Sequence, residues 1–303
     1  MPFVATLISD PAKPAVGTGV IAQAREALAS VGARIDAVAW LDAEIAADLF
    51  FDAADDVPRP AAERLRTTLA DDGIDVVVQR AEDRRKKLLL ADMDSTMVAQ
   101  ECIDELADLA GVKAQVASIT ERAMRGEIEF AGALRERVGL LKGLATVAIA
   151  EVIKYRIRLN PGASTLVATM RRQGAYTCLV TGGFTVFSEP VADRIGFHET
   201  HANRLRVDAQ HRLTGELEEP IFARESKLAT LINLRERLRL RADQTLAVGD
   251  GANDIPMLQE AGLGIAYHAK PKVAAVAARI DHGDLTAVLY AQGYSRKEFV
   301  ETV

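Results

Sequence analysis

The stretch LLLADMDSTM at residues 88–97 drives an apolar run straight into Asp92 and Asp94, two carboxylates one residue apart. Like charges this close repel. Such a pair is either a solvated turn or a place where a cation sits and one carboxylate is free to attack an electrophile. Two further apolar runs end on chemistry. CLVTGG (178–183) delivers Thr181, Gly182 and Gly183, and LAVGDGAND (246–254) delivers Asp250, Asn253 and Asp254. A single aspartate after a strand is ordinarily a turn or helix cap. Three such ends point to one shared site, because a doubly wound sheet gathers its ligands at the carboxyl ends of its strands. Converging carboxylates suit a hard cation with oxygen ligands, and Mg2+ keeps several waters beside one or two of them. Thr181 and Gly182 offer a hydroxyl and backbone N–H groups where a helix opens, which favours an anion. Lys227, in ARESKLATL, also sits where a helix opens, a position unfavourable for a cation unless an anion binds beside it.

These residues need elements to hold them. The first eighty residues read as strand (3–9), helix (19–30), strands (33–41 and 48–53), helix (60–73) and strand (74–80). That β-α-β-β-α-β order predicts a ferredoxin-like α+β fold. Within it, GTGVIA (17–22) matches a dinucleotide fingerprint, but a proline-containing loop separates it from the preceding strand, so no nucleotide site is expected. RRKK (84–87) reads as a solvated linker. KLLLADMD (87–94) then reads as a strand buried on both faces. Residues 101–158 are helical throughout, and after Pro161 strands alternate with helices. The expected fold class is α/β, a doubly wound parallel sheet with an inserted helical cap and the N-terminal α+β unit. The expected division is 1–82 for the N-terminal domain, 86–100 with 159–303 for the core, and 101–158 for the cap.

With 49% hydrophobic and 26% charged residues, the 303-residue chain has enough apolar material for more than one core. A net charge of −6 with only one dense basic run argues against nucleic-acid binding. No apolar stretch reaches the roughly 18–20 residues of a membrane span, and no signal peptide is read at the N-terminus. Cys102 and Cys178 are too few for a disulfide framework, which fits a reducing cytoplasm. HETH (198–201) spaces its histidines by three where the zinc-protease pattern needs four, so it reads as a polar loop or the start of a hairpin.

DMDST (92–96), VTGG (180–183), the lysine after the hairpin and GDGAND (249–254) resemble the four motifs of the haloacid dehalogenase (HAD) superfamily. From about residue 87 to 284 the chain is similar to the phosphoserine phosphatases within it, including DSTMVAQECIDELA (94–107) and EFAGALRERVGLLKG (129–143). The resemblance implies Mg2+-dependent hydrolysis of O-phosphoserine, the last step of L-serine biosynthesis, with Asp92 as nucleophile and Asp94 as general acid and base. It implies metal ligation by Asp92, the Asp94 backbone carbonyl and Asp250, with Asp254 supporting the metal from outside. Lys227, Thr181 and Gly182 would hold the phosphoryl oxygens, Asn253 would position substrate, Glu101 would meet its ammonium and Arg137 its carboxylate. Thr181 departs from the family's usual serine. The N-terminal unit resembles ACT domains, which implies a homodimer formed through it. Another small phosphomonoester, or an amino-acid-sensing role with a vestigial core, are the alternatives.

Overall fold

The computed structural model describes residues 3–125 and 127–301. The chain opens with β1 (Phe3–Ser9), α1 (Thr18–Ser30), β2 (Arg34–Asp42), β3 (Ala46–Asp52), α2 (Pro58–Thr68) and β4 (Ile74–Arg80). This is the ferredoxin-like order expected from the pattern. β1 lies between β3 and β4, antiparallel to both, in a sheet ordered β2-β3-β1-β4. Leu7, Leu49 and Val76 pack with Leu28 of α1 and Leu65 of α2. Ile8, Ala46 and Val77 point the other way and join the main core of the chain. Burial on both faces explains why β1 shows no polar alternation. α2 stops at Thr68, before the expected Gly73, because Asp71-Asp72-Gly73 forms a turn whose glycine takes φ +66°.

Next come β5 (Leu88–Ala91), a tight turn (Met93–Met97) and the four inserted helices α3 (Cys102–Leu109), α4 (Lys113–Met124), α5 (Phe130–Gly139) and α6 (Thr146–Tyr155). The chain continues through α7 (Ala163–Arg172), β6 (Tyr176–Phe184), α8 (Thr185–Ile195), β7 (Glu199–Asn203) and the hairpin β8 (Leu205–Val207) and β9 (Leu213–Leu217). It then forms α9 (Arg224–Arg237), β10 (Thr245–Gly249), α10 (Ile255–Glu260) and β11 (Leu263–Tyr267). α11 (Pro271–Ala274), β12 (Ala278–Ile280) and α12 (Ala287–Ala291) complete it. The second sheet is parallel, ordered β12-β11-β10-β5-β6-β7. β5 sits between β10 and β6, so the three chemistry-bearing ends are neighbours. Among the described residues no helix is long and apolar enough to cross a membrane.

Two local expectations fail. HETH is not a loop: Glu199–Asn203 is the parallel edge strand beside β6. Tyr176 draws it in, donating to Glu199 Oε2 at 2.8 Å and stacking on the His198 ring at 4.6 Å. Polar residues on a half-solvated edge hide the strand signal. RRKK is solvated only in part: Arg85 and Lys87 are exposed, but the other two are held in place. Arg84 clasps both carboxylate oxygens of Asp48, and Lys86 is buried with its ammonium on the carbonyls of Asp83 and Asp243 at 3.0 and 2.8 Å.

Candidate active site

The turn after β5 places the opening pair. Asp92 keeps extended backbone, and its Oδ1 accepts from the Met93 N–H at 2.8 Å. Ser95 takes φ +56°, a conformation that costs a non-glycine residue energy and persists only when its surroundings hold it. The tight reversal separates the two carboxylates. Asp94 Oδ1 accepts the otherwise free N–H of Cys102 where α3 begins, and Oδ2 accepts the Thr181 hydroxyl, both at 2.8 Å. Thr181 in turn accepts the Gly183 N–H at 2.9 Å. A Cβ on Gly183 would lie 2.9 Å from Asp94 Oδ2, so any other residue there would displace that carboxylate. Thr96 donates to Asp250 Oδ1 at 3.3 Å, joining the ends of β5 and β10.

Beneath this layer lies Lys227, fully buried, so a solvated lysine is excluded. Its ammonium donates to Asp92 Oδ1 at 2.6 Å and Asp254 Oδ1 at 2.7 Å. Burial opposes its charge, but Asp254 and Asp92 outweigh that penalty and hold it above the ordinary lysine range. Asp254 Oδ2 accepts the Gly251 N–H at 3.0 Å. Oxygens of Asp92, Asp250 and Asp254 lie within 4.8 Å of one another. Burial, and then the Asp254 charge, pushes Asp92 well above the usual carboxylate range and Asp250 to about 6. Three carboxylates against one ammonium leave negative charge uncompensated, and the donors are all oxygen. The cluster therefore fits a hard divalent cation.

Above the cluster opens a cavity of about 790 Å³ between the sheet ends and the inserted helices. Asp92, Asp94, Glu101, Arg137, Thr181, Gly182, Asp250 and Asn253 all line it, whereas Lys227 and Asp254 sit behind its wall. Glu101 takes a hydrogen bond from Ser95 at 2.8 Å. Its carboxyl remains open to the cavity, yet enclosure by protein and the neighbouring Asp94 charge push it up to about 7. Arg137 donates to the Ala133 carbonyl at 3.3 Å, and its other guanidinium nitrogens remain for the cavity save one long contact to Thr120. Burial lowers its pKa, though a guanidinium remains charged at any ordinary pH.

Sequence reasoning missed several lining residues: Ile103, Thr120 and Phe130 from the insert, and Lys270 and Lys272 from the segment after β11. Phe130 lies over Gly182, its ring 3.2 Å from where a Cβ would stand, and so closes insert onto core. The strand-end rule that found Asp92 and Asp250 also applies to β11, and would have found Lys270. Nothing in the spacing of the helical residues marks Thr120 or Phe130.

The haloacid dehalogenase-like hydrolase profile matches residues 89–259. A phosphoserine phosphatase of Polaromonas sp. is 47% identical over 192 residues, covering 62% of this chain and 81% of that protein. A HAD family hydrolase of Salmonella enterica serovar Typhi superposes with a TM-score of 0.81 at 25% identity, covering 95% of this chain and 98% of that one. The structure of a phospho-aspartyl intermediate analogue of phosphoserine phosphatase superposes with a TM-score of 0.63 at 38% identity, covering 68% and 98%. By its carboxylate-bearing strand ends and by these matches, the chain belongs to the haloacid dehalogenase-like hydrolase family.

Proposed function

We propose that this chain is a phosphoserine phosphatase, hydrolysing O-phospho-L-serine to L-serine and phosphate with Mg2+ as its metal ion, the last step of L-serine biosynthesis. One observation carries the reading. A single cavity is lined both by the phosphoryl-transfer carboxylates and by an opposite-charge pair, Glu101 and Arg137. An ammonium and a carboxylate attached to a phosphate ester would satisfy that pair. The phosphoserine phosphatases among its relatives support the same substrate.

Lys227 and the Met93 N–H both engage Asp92 Oδ1, which leaves Oδ2 to attack phosphorus. The new O–P bond forms as the bond to the serine oxygen breaks, and Asp94 gives that oxygen its proton. Asp94 then removes a proton from water, which attacks the aspartyl phosphate, releases phosphate and regenerates Asp92. Asp92, Asp250 and the Asp94 backbone carbonyl would hold the ion, with Asp254 supporting it from outside. Bound there, Mg2+ offsets repulsion between nucleophile and phosphate and stabilises charge on the transferring group. Thr181, Gly182 and Lys227 would hold phosphoryl oxygens, Lys227 from beneath, and Asn253 would position the substrate.

The reading divides the chain into an ACT-like unit (1–82), a core (86–100 and 159–303) and a cap (101–158). It includes a homodimer formed through the N-terminal sheet, tested by mass in solution, and a cytoplasmic setting for its two free cysteines. The function is tested by phosphate release from a panel of phosphomonoesters, with and without Mg2+. Preference for phosphoserine, dependence on Mg2+ and loss of turnover in Asp92→Asn are expected. Indifference to the amino and carboxylate groups would reject the substrate, and turnover by Asp92→Asn would reject the mechanism.

A further inference from the structure

The segment after β11 lines the cavity through Lys270, Lys272 and Val273. It begins with His268, a non-glycine residue at φ +43°, in the left-handed region that side chains rarely adopt. Something must hold that backbone. The His268 N–H donates to the Ile280 carbonyl at 2.8 Å, and its ring Nε2 lies 2.9 Å from the Gly283 carbonyl. Two residues on, the Lys270 N–H reaches the Asp250 carbonyl at 3.3 Å, so the segment is fastened to the chain beside a carboxylate of the site.

Gly283 is in turn fixed from the N-terminal unit. Asp75, buried on β4, accepts the Gly283 N–H through Oδ2 at 2.7 Å and the Asp281 N–H through Oδ1 at 2.7 Å. The His282 N–H reaches both oxygens at 3.2 Å. Three successive backbone donors converging on one carboxylate define the turn's position. A Cβ on Gly283 would meet Ala287 at 3.0 Å and Asp75 at 3.2 Å, so a side chain there would press on the carboxylate that holds the turn. The N-terminal sheet grips the same region elsewhere, with Tyr290 donating to Asp42 and Gln79 to the Ala291 carbonyl, both at 2.6 Å.

We infer that Asp75 and His268 are positioning residues. Through the 281–283 turn and the strained His268, the N-terminal unit sets where Lys270 stands in the active cavity. Lys270 lines the cavity, and its charge acts on both Glu101 and Asp250. The N-terminal unit is thereby part of the site's framework, beyond any ligand it binds itself. The inference rests on the phosphatase reading for its assay.

The test is a double-mutant cycle in the full-length chain between Asp75→Asn and Lys270→Met, read as kcat and KM for phosphoserine. Asp75→Asn keeps the shape but turns an N–H2 toward backbone donors. His268→Gln, which can still bond the Gly283 carbonyl, serves as the conservative variant against His268→Ala. Expected are a roughly tenfold rise in KM with kcat within about threefold for Asp75→Asn, and no further loss in the double variant than in Lys270→Met alone. Partial recovery in His268→Gln over His268→Ala is also expected, with the melting transition retained. Additive losses, or losses that only track the fraction of unfolded protein, would overturn the inference. An inactive wild-type chain would instead reject the phosphatase reading.

Discussion

Replacing Lys227 by methionine tests the electrostatics of the site most severely. The side chains match in length, so the change removes a charge with little change in volume. It strands Asp92 and Asp254, whose carboxylates now sit 2.6 and 2.7 Å from the ammonium in a place with almost no solvent. Removing one partner of a buried ion pair costs about 3–5 kcal/mol. Part of that is recovered if Asp92 takes a proton. Its pKa already lies above the usual range, and loss of Lys227, which opposes that rise, lifts it further. A carboxyl whose folded pKa exceeds its unfolded one binds more protons when folded, so stability rises as pH falls toward the unfolded value. The deficit should shrink below neutral pH by up to about 1.4 kcal/mol per unit of additional rise. Urea denaturation followed by circular dichroism, in EDTA at pH 8 and pH 6, measures both quantities. Turnover should fall at least about 10²-fold through loss of a preorganised cation. A deficit under about 1 kcal/mol with turnover intact would refute the assignment of Lys227 as the buried counter-charge.

Arg137→Ala should lower kcat/KM for phosphoserine about 10- to 150-fold, the value of one or two charge-assisted hydrogen bonds. An aryl phosphate should be turned over almost as before, and equal losses on both substrates would remove Arg137 from recognition. Thr181→Ser keeps the hydroxyl that bonds Asp94 and the Gly183 N–H, so its turnover should stay within about threefold of wild type. Thr181→Val loses both bonds and should be severely impaired; a valine variant as active as the serine one would show that the hydroxyl is idle. Because Glu101 is pushed up to about 7, it gains a proton and ceases to attract an ammonium as pH falls through that value. The kcat/KM profile for phosphoserine should therefore show an acid limb near pH 7 that is absent from the profile for an aryl phosphate. The same limb in both profiles would assign it to another group.

Much of this site was legible because its chemistry sits at strand ends, where periodicity and motif coincide. Asp92, Asp94, Thr181, Asp250 and Asn253 follow apolar runs, and their convergence follows from the parallel sheet they imply. Lys227 was found by motif, but its burial was not foreseeable: it lies on a helix among charged neighbours, and only the fold turns it inward. The β7 strand escaped because a polar edge carries no alternation, and the embedding of Arg84 and Lys86 escaped because their partners, Asp48 and Asp243, are remote in sequence. Asp75 is harder still. One aspartate within a short apolar strand gives no sign that it receives three N–H groups more than 200 residues away.

The most direct measurement of the central claim is rapid acid quenching during phosphoserine turnover, followed by mass spectrometry of the peptide that contains Asp92. A transient gain of one phosphoryl group on Asp92 is expected, lost on longer incubation and absent from Asp92→Asn. Steady turnover with no phosphorylated Asp92 at any quench time, or with the phosphoryl group on a different residue, would contradict it.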